Sequence, residues 1–228
     1  MEKNRTPMII FTADDHYGAH PGKTIYEGIK SDFPGMVFAE NDFSVLSDAE
    51  LMGKCDLLIL NMIAGTCNLE PPAGKAESNV KAYCERGGNM LLLHGSSAAF
   101  WHWDWWRKIV GYRWVRGNDP DGVPASTHPK RPYKVVRSKS RHPLCAKLAE
   151  MDLPEDEIYI NLEQVCPSID IMETRTDEGT FVQCYETLTP WGGRIIGFIP
   201  GHRKEVTSRK DYLDNVEKII KYQQEGKA

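Results

Sequence analysis

The chain contains no apolar stretch near the ~20 residues that a membrane-crossing helix requires, which excludes a helical membrane protein. Its first residues, Met1-Glu-Lys-Asn-Arg-Thr-Pro7, lack the apolar core of a signal peptide, so the cytoplasm is the expected compartment. Excess positive charge is absent too. The 28 Lys and Arg against 32 Asp and Glu leave a formal net charge of -4, with no electrostatic pull toward nucleic acid or an anionic membrane. The six cysteines form no CxxC pair and no finger-like spacing. In a chain without an export signal, Cys55, Cys67, Cys84, Cys145, Cys166 and Cys184 are expected to be reduced and mostly packed. No repeat, heptad, low-complexity segment or linker divides the 228 residues, so one domain over residues 1–228 is expected.

What is present is a core-forming composition, 41% hydrophobic, arranged in a strand–helix rhythm. Met8 to Thr12, Met36 to Ala39, Cys55 to Asn61 and Met90 to Leu93 read as strands. Between them, helical spacing covers Lys23 to Phe33, Ser47 to Met52 with Ser47 as N-cap, and Gly74 to Arg86 closed by Gly87-Gly88. This alternation predicts a doubly wound, mostly parallel sheet with helices on both faces. Asp104 to Val110 reads as helical within a middle rich in Trp, Gly, Pro and Asp. Further strands are expected over Tyr133 to Val136, Glu157 to Gln164, Ile169 to Glu173, Thr180 to Tyr185 and Arg194 to Ile199. Asp211 to Tyr222 closes the chain as an amphipathic helix.

Two apolar strands end in a histidine: Met90 to Leu93 runs into His94-Gly95-Ser96-Ser97, and Arg194 to Ile199 into Pro200-Gly201-His202. Ligands bind at the carboxyl ends of strands in such sheets, so both imidazoles are candidates for one acid–base or metal site. The first strand is followed by Asp14-Asp15-His16-Tyr17-Gly18-Ala19-His20, whose two carboxylates, Asp14 and Asp15, and two histidines, His16 and His20, could hydrogen-bond a polyol or serve a divalent metal such as zinc. That spacing matches no closed metal motif. A nucleophile turn before the helix would need a reactive atom at Leu93, which has none; Ser96 reads as a cap or a substrate contact, and as the nucleophile of a serine hydrolase only if His94 or His202 acts as base. Phe100-Trp-His-Trp-Asp-Trp-Trp106 offers flat faces, Trp101 and Trp103 among them, that could stack on a sugar ring or simply pack in the core.

Taken in order, these pieces resemble the ThuA-like (trehalose utilisation) family, over Met8 to about Tyr222. The pieces are the strand ending in His94-Gly95-Ser96, the Trp-rich segment with Ile109-Val110-Gly111, Thr127-His128-Pro129, Arg141-His142-Pro143-Leu144, Glu157 to Gln164, and Trp191-Gly-Gly-Arg194 to Gly201-His202. The resemblance implies a class I glutamine amidotransferase-like, flavodoxin-like α/β fold without the cysteine nucleophile of amidotransferases. It implies a role in sugar or keto-sugar metabolism, with a pocket formed by His94, His128, Glu163 and His202. Glu163 takes the glutamate of a segment that in the family ends in Asp-Glu, although Leu162 stands where the aspartate is usual. Leu93 and Arg203-Lys204 also depart from the family pattern, the latter against a metal.

The expectation is therefore an enzyme using His94, His202 and Glu163 on a small-molecule sugar or keto-sugar. His16, His20, Asp15, Ser96, Trp101, Trp103 and His128 would contact the substrate, and any metal would sit on His94, His202 and Glu163. The alternative is a non-catalytic subunit for sugar binding or assembly. Either reading is compatible with a homo-oligomer; a nucleic-acid or membrane partner is not expected.

Overall fold

The computed structural model describes residues 5–64, 69–117, 119 and 121–225. Eleven strands occur among them: β1 (Ile9–Ala13), β2 (Met36–Glu40), β3 (Leu57–Asn61), β4 (Asn89–Leu93), β5 (Tyr112–Arg113), β6 (Lys130–Arg137), β7 (Met151–Glu157), β8 (Glu163–Gln164), β9 (Ser168–Thr176), β10 (Gly179–Leu188) and β11 (Arg194–Phe198). The helices are α1 (Pro21–Ile29), α2 (Ser44–Ser47), α3 (Ala49–Lys54), α4 (Lys75–Glu85), α5 (Pro143–Lys147), α6 (Lys204–Thr207) and α7 (Lys210–Gln224).

Nine strands form one sheet in the order β2-β1-β3-β4-β11-β10-β9-β6-β7. The first five are parallel and the remaining pairings antiparallel. β1, β3 and β4 are buried at every position, as continuous apolar strands covered on both faces must be. One apolar layer joins that sheet to α1 and α7 through Ile25, Ile29, Tyr212, Val216 and Ile219. The opposite layer holds Leu46, Met52, Val80 and Tyr83 from α2, α3 and α4, together with Phe100, Trp103 and Trp106. The expected sheet with helices on both faces is what the chain builds, parallel over its first five strands and antiparallel over the rest.

The departures lie where polar chemistry overrides periodicity. Ser47 ends α2, and Asp48 caps α3 instead, accepting from the Leu51 N–H at 2.9 Å. Asp104 to Val110 yields only a 3₁₀ turn at Trp106–Lys108. The strand expected over Glu157 to Gln164 is split: β7 comes earlier and ends at Glu157, while Glu163 belongs to β8, paired with β5. β7 carries Pro154 and sits at the sheet's edge, where a missing N–H is tolerated. Between its pairs with Arg131 and Tyr133 the register slips: Asp156 faces Arg131 and Leu153 faces Tyr133, leaving one extra residue on β7. The cysteines are free and buried at Cys55, Cys84, Cys145 and Cys184, with Cys166 half-buried; Cys67 lies outside the described residues.

Candidate functional site

Counting directions across the sheet, β7 runs the same way as β1, β4 and β11, so all four deliver their carboxyl ends to one edge. The first contribution follows β1. Buried Asp14 accepts from the backbone N–H groups of Ile63 at 2.8 Å and Ala64 at 3.2 Å, and its other oxygen lies 3.3 Å from His16 Nδ1. The carboxylate thereby keeps the ring proton on Nδ1 and leaves His16 Nε2 as the free lone pair.

His94 is fixed in the same manner. Its Nδ1 donates to the Ile199 carbonyl at 2.9 Å, and the Tyr159 hydroxyl donates to Nε2 at 2.9 Å. His202 arrives on the turn after β11, where Asp156 accepts from the Gly201 and His202 backbone N–H groups at 2.8 and 3.2 Å. Gly201 is required there: at φ 113°, an added Cβ would lie 2.6 Å from the Tyr212 hydroxyl. The three rings meet edge to face, His94 4.9 Å from His16 and 5.3 Å from His202, with His16 and His202 5.0 Å apart. Their ligand nitrogens fall within 4.8 Å of one another. His16 and His94 both adopt left-handed backbone, φ 51° and 50°, strain of about 1–3 kcal/mol each that persists where surrounding bonds over-determine it.

Glu157 completes the group. One oxygen lies 3.5 Å from both His94 Nε2 and His202 Nδ1; the other lies 3.1 Å from His128 Nδ1 and 3.3 Å from Lys130 Nζ. Burial opposes its ionisation, yet the surrounding imidazoles hold its carboxyl at about 2. Burial, then His94, lowers His202 to about 3, and burial likewise lowers His16 despite Asp14. At neutral pH the site is thus an anionic carboxylate facing uncharged imidazole at His16 and His202. Above it opens a cleft of about 130 Å³, bordered by Tyr17, Trp114, Arg116, His128, Tyr159 and Gly95 among others.

The sequence-derived candidates divide on this geometry. His94, His202 and His16 converge, and His128 stands at the rim, its side chain 47% exposed. Glu163 does not belong to the group: its carboxylate is bound by Arg113, beside Asp119. An adjacent Asp-Glu pair stands six residues earlier as Asp156-Glu157, and it is Glu157 that lies beside the imidazoles. Ser96 is fully buried, its hydroxyl bridging the Leu60 and Leu93 carbonyls at 2.8 and 2.6 Å and accepting from the Met62 N–H at 3.0 Å, so it is neither a cap nor open to substrate. His20 faces Glu40 at 2.9 Å, and Asp15 accepts from Gly18 N–H and Asn41 Nδ2; neither borders the cleft. Trp103 is core, stacked on Phe100 at 3.9 Å, and Trp101 borders a smaller neighbouring cavity. The aromatic wall of the cleft is Trp114 with Tyr159, ring centres 4.5 Å apart. Neither was legible as such, since both sit in segments without a regular apolar period.

Comparison with known proteins bears on the same region. A family model described as "ThuA: Trehalose utilisation" matches residues 10–223. Among solved structures, a ThuA-like protein from Parabacteroides merdae superposes with a TM-score of 0.72 at 14% identity, covering 97% of this chain and 91% of its own. A ThuA-like protein from Bacteroides uniformis gives 0.69 at 15%, covering 98% and 94%. A GMP synthase protein from Thermoplasma acidophilum gives 0.51 at 12%, covering 97% and 100%, which is the class I glutamine amidotransferase-like fold. No curated protein matches. Among the described residues no helix is long and apolar enough to cross a membrane.

Proposed function

Because the chain belongs to the ThuA (trehalose utilisation) family, we propose that it is an enzyme acting on a sugar or keto-sugar, with its working centre at His16, His94, His202 and Glu157. The observation that carries this reading is the convergence of three imidazoles and one carboxylate from four separate strand ends, with His16, His202 and Glu157 lining one cleft and His94 buried directly behind them.

The donor set suits a divalent cation such as zinc. The lone pairs of His16 Nε2 and His94 Nε2 are turned inward by partners on the opposite ring nitrogens, Asp14 and the Ile199 carbonyl. His202 supplies a third nitrogen and Glu157 an oxygen beside them. A cation held there would polarise a substrate oxygen as a Lewis acid. Glu157, ionised and within reach of the cleft, is the group that would take a proton from carbon next to a keto group or from water. With His94 Nε2 turned to a cation, the Tyr159 hydroxyl, held un-ionised by burial, would be freed from that nitrogen to donate to a substrate oxygen. Trp114 gives an apolar face for the sugar ring, and His128 faces the solvent side.

The contact of the Tyr159 hydroxyl with His94 Nε2 favours a second reading, in which the imidazoles exchange protons directly without a metal. Metal analysis of the purified protein, with turnover of sugars and 3-keto-sugars before and after chelation, separates the two. Bound divalent metal that is lost in His16→Ala, His94→Ala and His202→Ala, with activity lost on chelation, supports the first. Turnover untouched by chelation supports the second. Tight sugar binding without any turnover would make the chain a binding protein rather than an enzyme.

A further inference from the structure

Three arginines border the small cavity beside the cleft, and one of them is treated differently from the others. Arg107 is held by Asp104 at 2.8 Å and Asp121 at 3.2 Å. Arg113 is held by Asp119 at 2.7 Å, by Asp121 at 3.4 Å and by Glu163. Arg116 has no carboxylate at ion-pair distance among the described residues. Its Nη2 donates to the Ile63 carbonyl at 2.8 Å, its guanidinium lies over the Trp101 ring at 5.0 Å, and its Nε is buried without a hydrogen-bond partner. Burial is the main influence on this cation and lowers its pKa, as withdrawal from water without a counter-anion must.

Arg116 also borders the histidine cleft, next to Trp114 and His128. The one carboxylate among the cleft-lining residues, Glu157, is already occupied by His128 and Lys130. The cleft therefore has a positioned guanidinium whose plane is held by an aromatic ring and a carbonyl, and whose charge nothing in the described chain answers. Such a fork matches the two oxygens of a carboxylate or phosphate.

We propose that Arg116 receives an oxyanion group of the substrate, so that the cleft selects sugars bearing a carboxylate or a phosphate over neutral ones. The proposal rests on the reading of the cleft as a sugar site and narrows it to acidic sugars. It is tested by calorimetric binding of glucose, glucuronate and glucose 6-phosphate to the full chain as purified. At least one acid is expected to bind about 10–100-fold more tightly than glucose, the range of a charge-assisted hydrogen-bonded pair. Which acid gains identifies carboxylate or phosphate as the group. In Arg116→Gln the preference is expected to fall to within about twofold of glucose, while glucose affinity is retained. Equal binding of all three sugars to the native chain, or a preference that survives Arg116→Gln, overturns the proposal. Should that variant not fold, Arg116→Lys decides the matter: it keeps the charge but loses the fork, and an undiminished preference is the overturning result. If no sugar binds the native chain, the sugar reading fails separately. Arg116 is then judged by inorganic phosphate and acetate: protection against thermal unfolding that vanishes in Arg116→Gln upholds the anion site, and no protection overturns it.

Discussion

Replacing Ser96 by alanine distinguishes a structural hydroxyl from a nucleophile. The Ser96 hydroxyl accepts from the Met62 N–H at 3.0 Å and contacts the Leu60 and Leu93 carbonyls at 2.8 and 2.6 Å, in a place fully closed to solvent. Its single proton can serve only one carbonyl at a time, so the bond with no substitute is the one from Met62. Leaving that buried N–H unpaired costs about 1–3 kcal/mol. For a chain of this length, each kcal/mol corresponds to about 2–4 °C in Tm, so Ser96→Ala should melt roughly 2–12 °C lower. Urea unfolding monitored by tryptophan fluorescence, beside a thermal scan, measures this. Turnover per folded molecule should survive at least in part, and a fluorophosphonate should leave Ser96 unlabelled. Loss of turnover with stability intact, or covalent labelling at Ser96, would refute the reasoning and restore the serine-hydrolase reading.

Further expectations concern the carboxylates and the scaffold. Glu157→Gln should abolish turnover with the fold retained, whereas Glu163→Gln, which replaces a carboxylate paired with Arg113 outside the cleft, should leave kcat unchanged; the reverse pattern in steady-state kinetics would return Glu163 to the site. Asp14→Asn removes the carboxylate behind His16 and should weaken divalent-metal binding roughly 10–100-fold, measured by competition with a chromogenic chelator; unchanged affinity would exclude His16 as a ligand. Gly201→Ala, which drives a methyl to 2.6 Å from the Tyr212 hydroxyl at a φ unsuited to alanine, should destabilise by about 1–3 kcal/mol in urea titration, and unchanged stability would show that the turn relaxes freely. Trp103→Ala empties core volume and should cost about 3–5 kcal/mol, while the more exposed Trp101→Ala should cost far less; similar losses for the two would contradict the packing described.

The parallel half of the sheet was legible because the buried strands Leu57–Asn61 and Asn89–Leu93 each carry four consecutive apolar residues, and because a strand's carboxyl end announces His94 and His202. His16 was legible for the same reason, as a polar residue just past β1. The antiparallel half was harder. β7, Met-Asp-Leu-Pro-Glu-Asp-Glu, has almost no strand propensity of its own and is held at the edge by pairing with β6, so its closing Glu157 was assigned to a strand that begins there. Glu163 is thereby expected beside the histidines, where the fold instead puts Glu157, six positions earlier. Trp103 and Ser96 failed in another way: their residue types are suited to a site, but only packing decides whether an indole or a hydroxyl faces inward.

The extra residue on β7 between Leu153 and Asp156 has a larger effect than its length suggests. Side chains alternate sides along a strand, so the insertion inverts the phase of everything after it. Consecutive acids consequently take opposite duties: Asp156 anchors the peptide that carries His202, and Glu157 turns toward the His94 and His202 rings. Regular pairing over the same seven residues, with no bulge, would exchange their orientations without altering either acid. One irregular pair in a marginal edge strand thus decides which of two adjacent carboxylates meets the imidazoles.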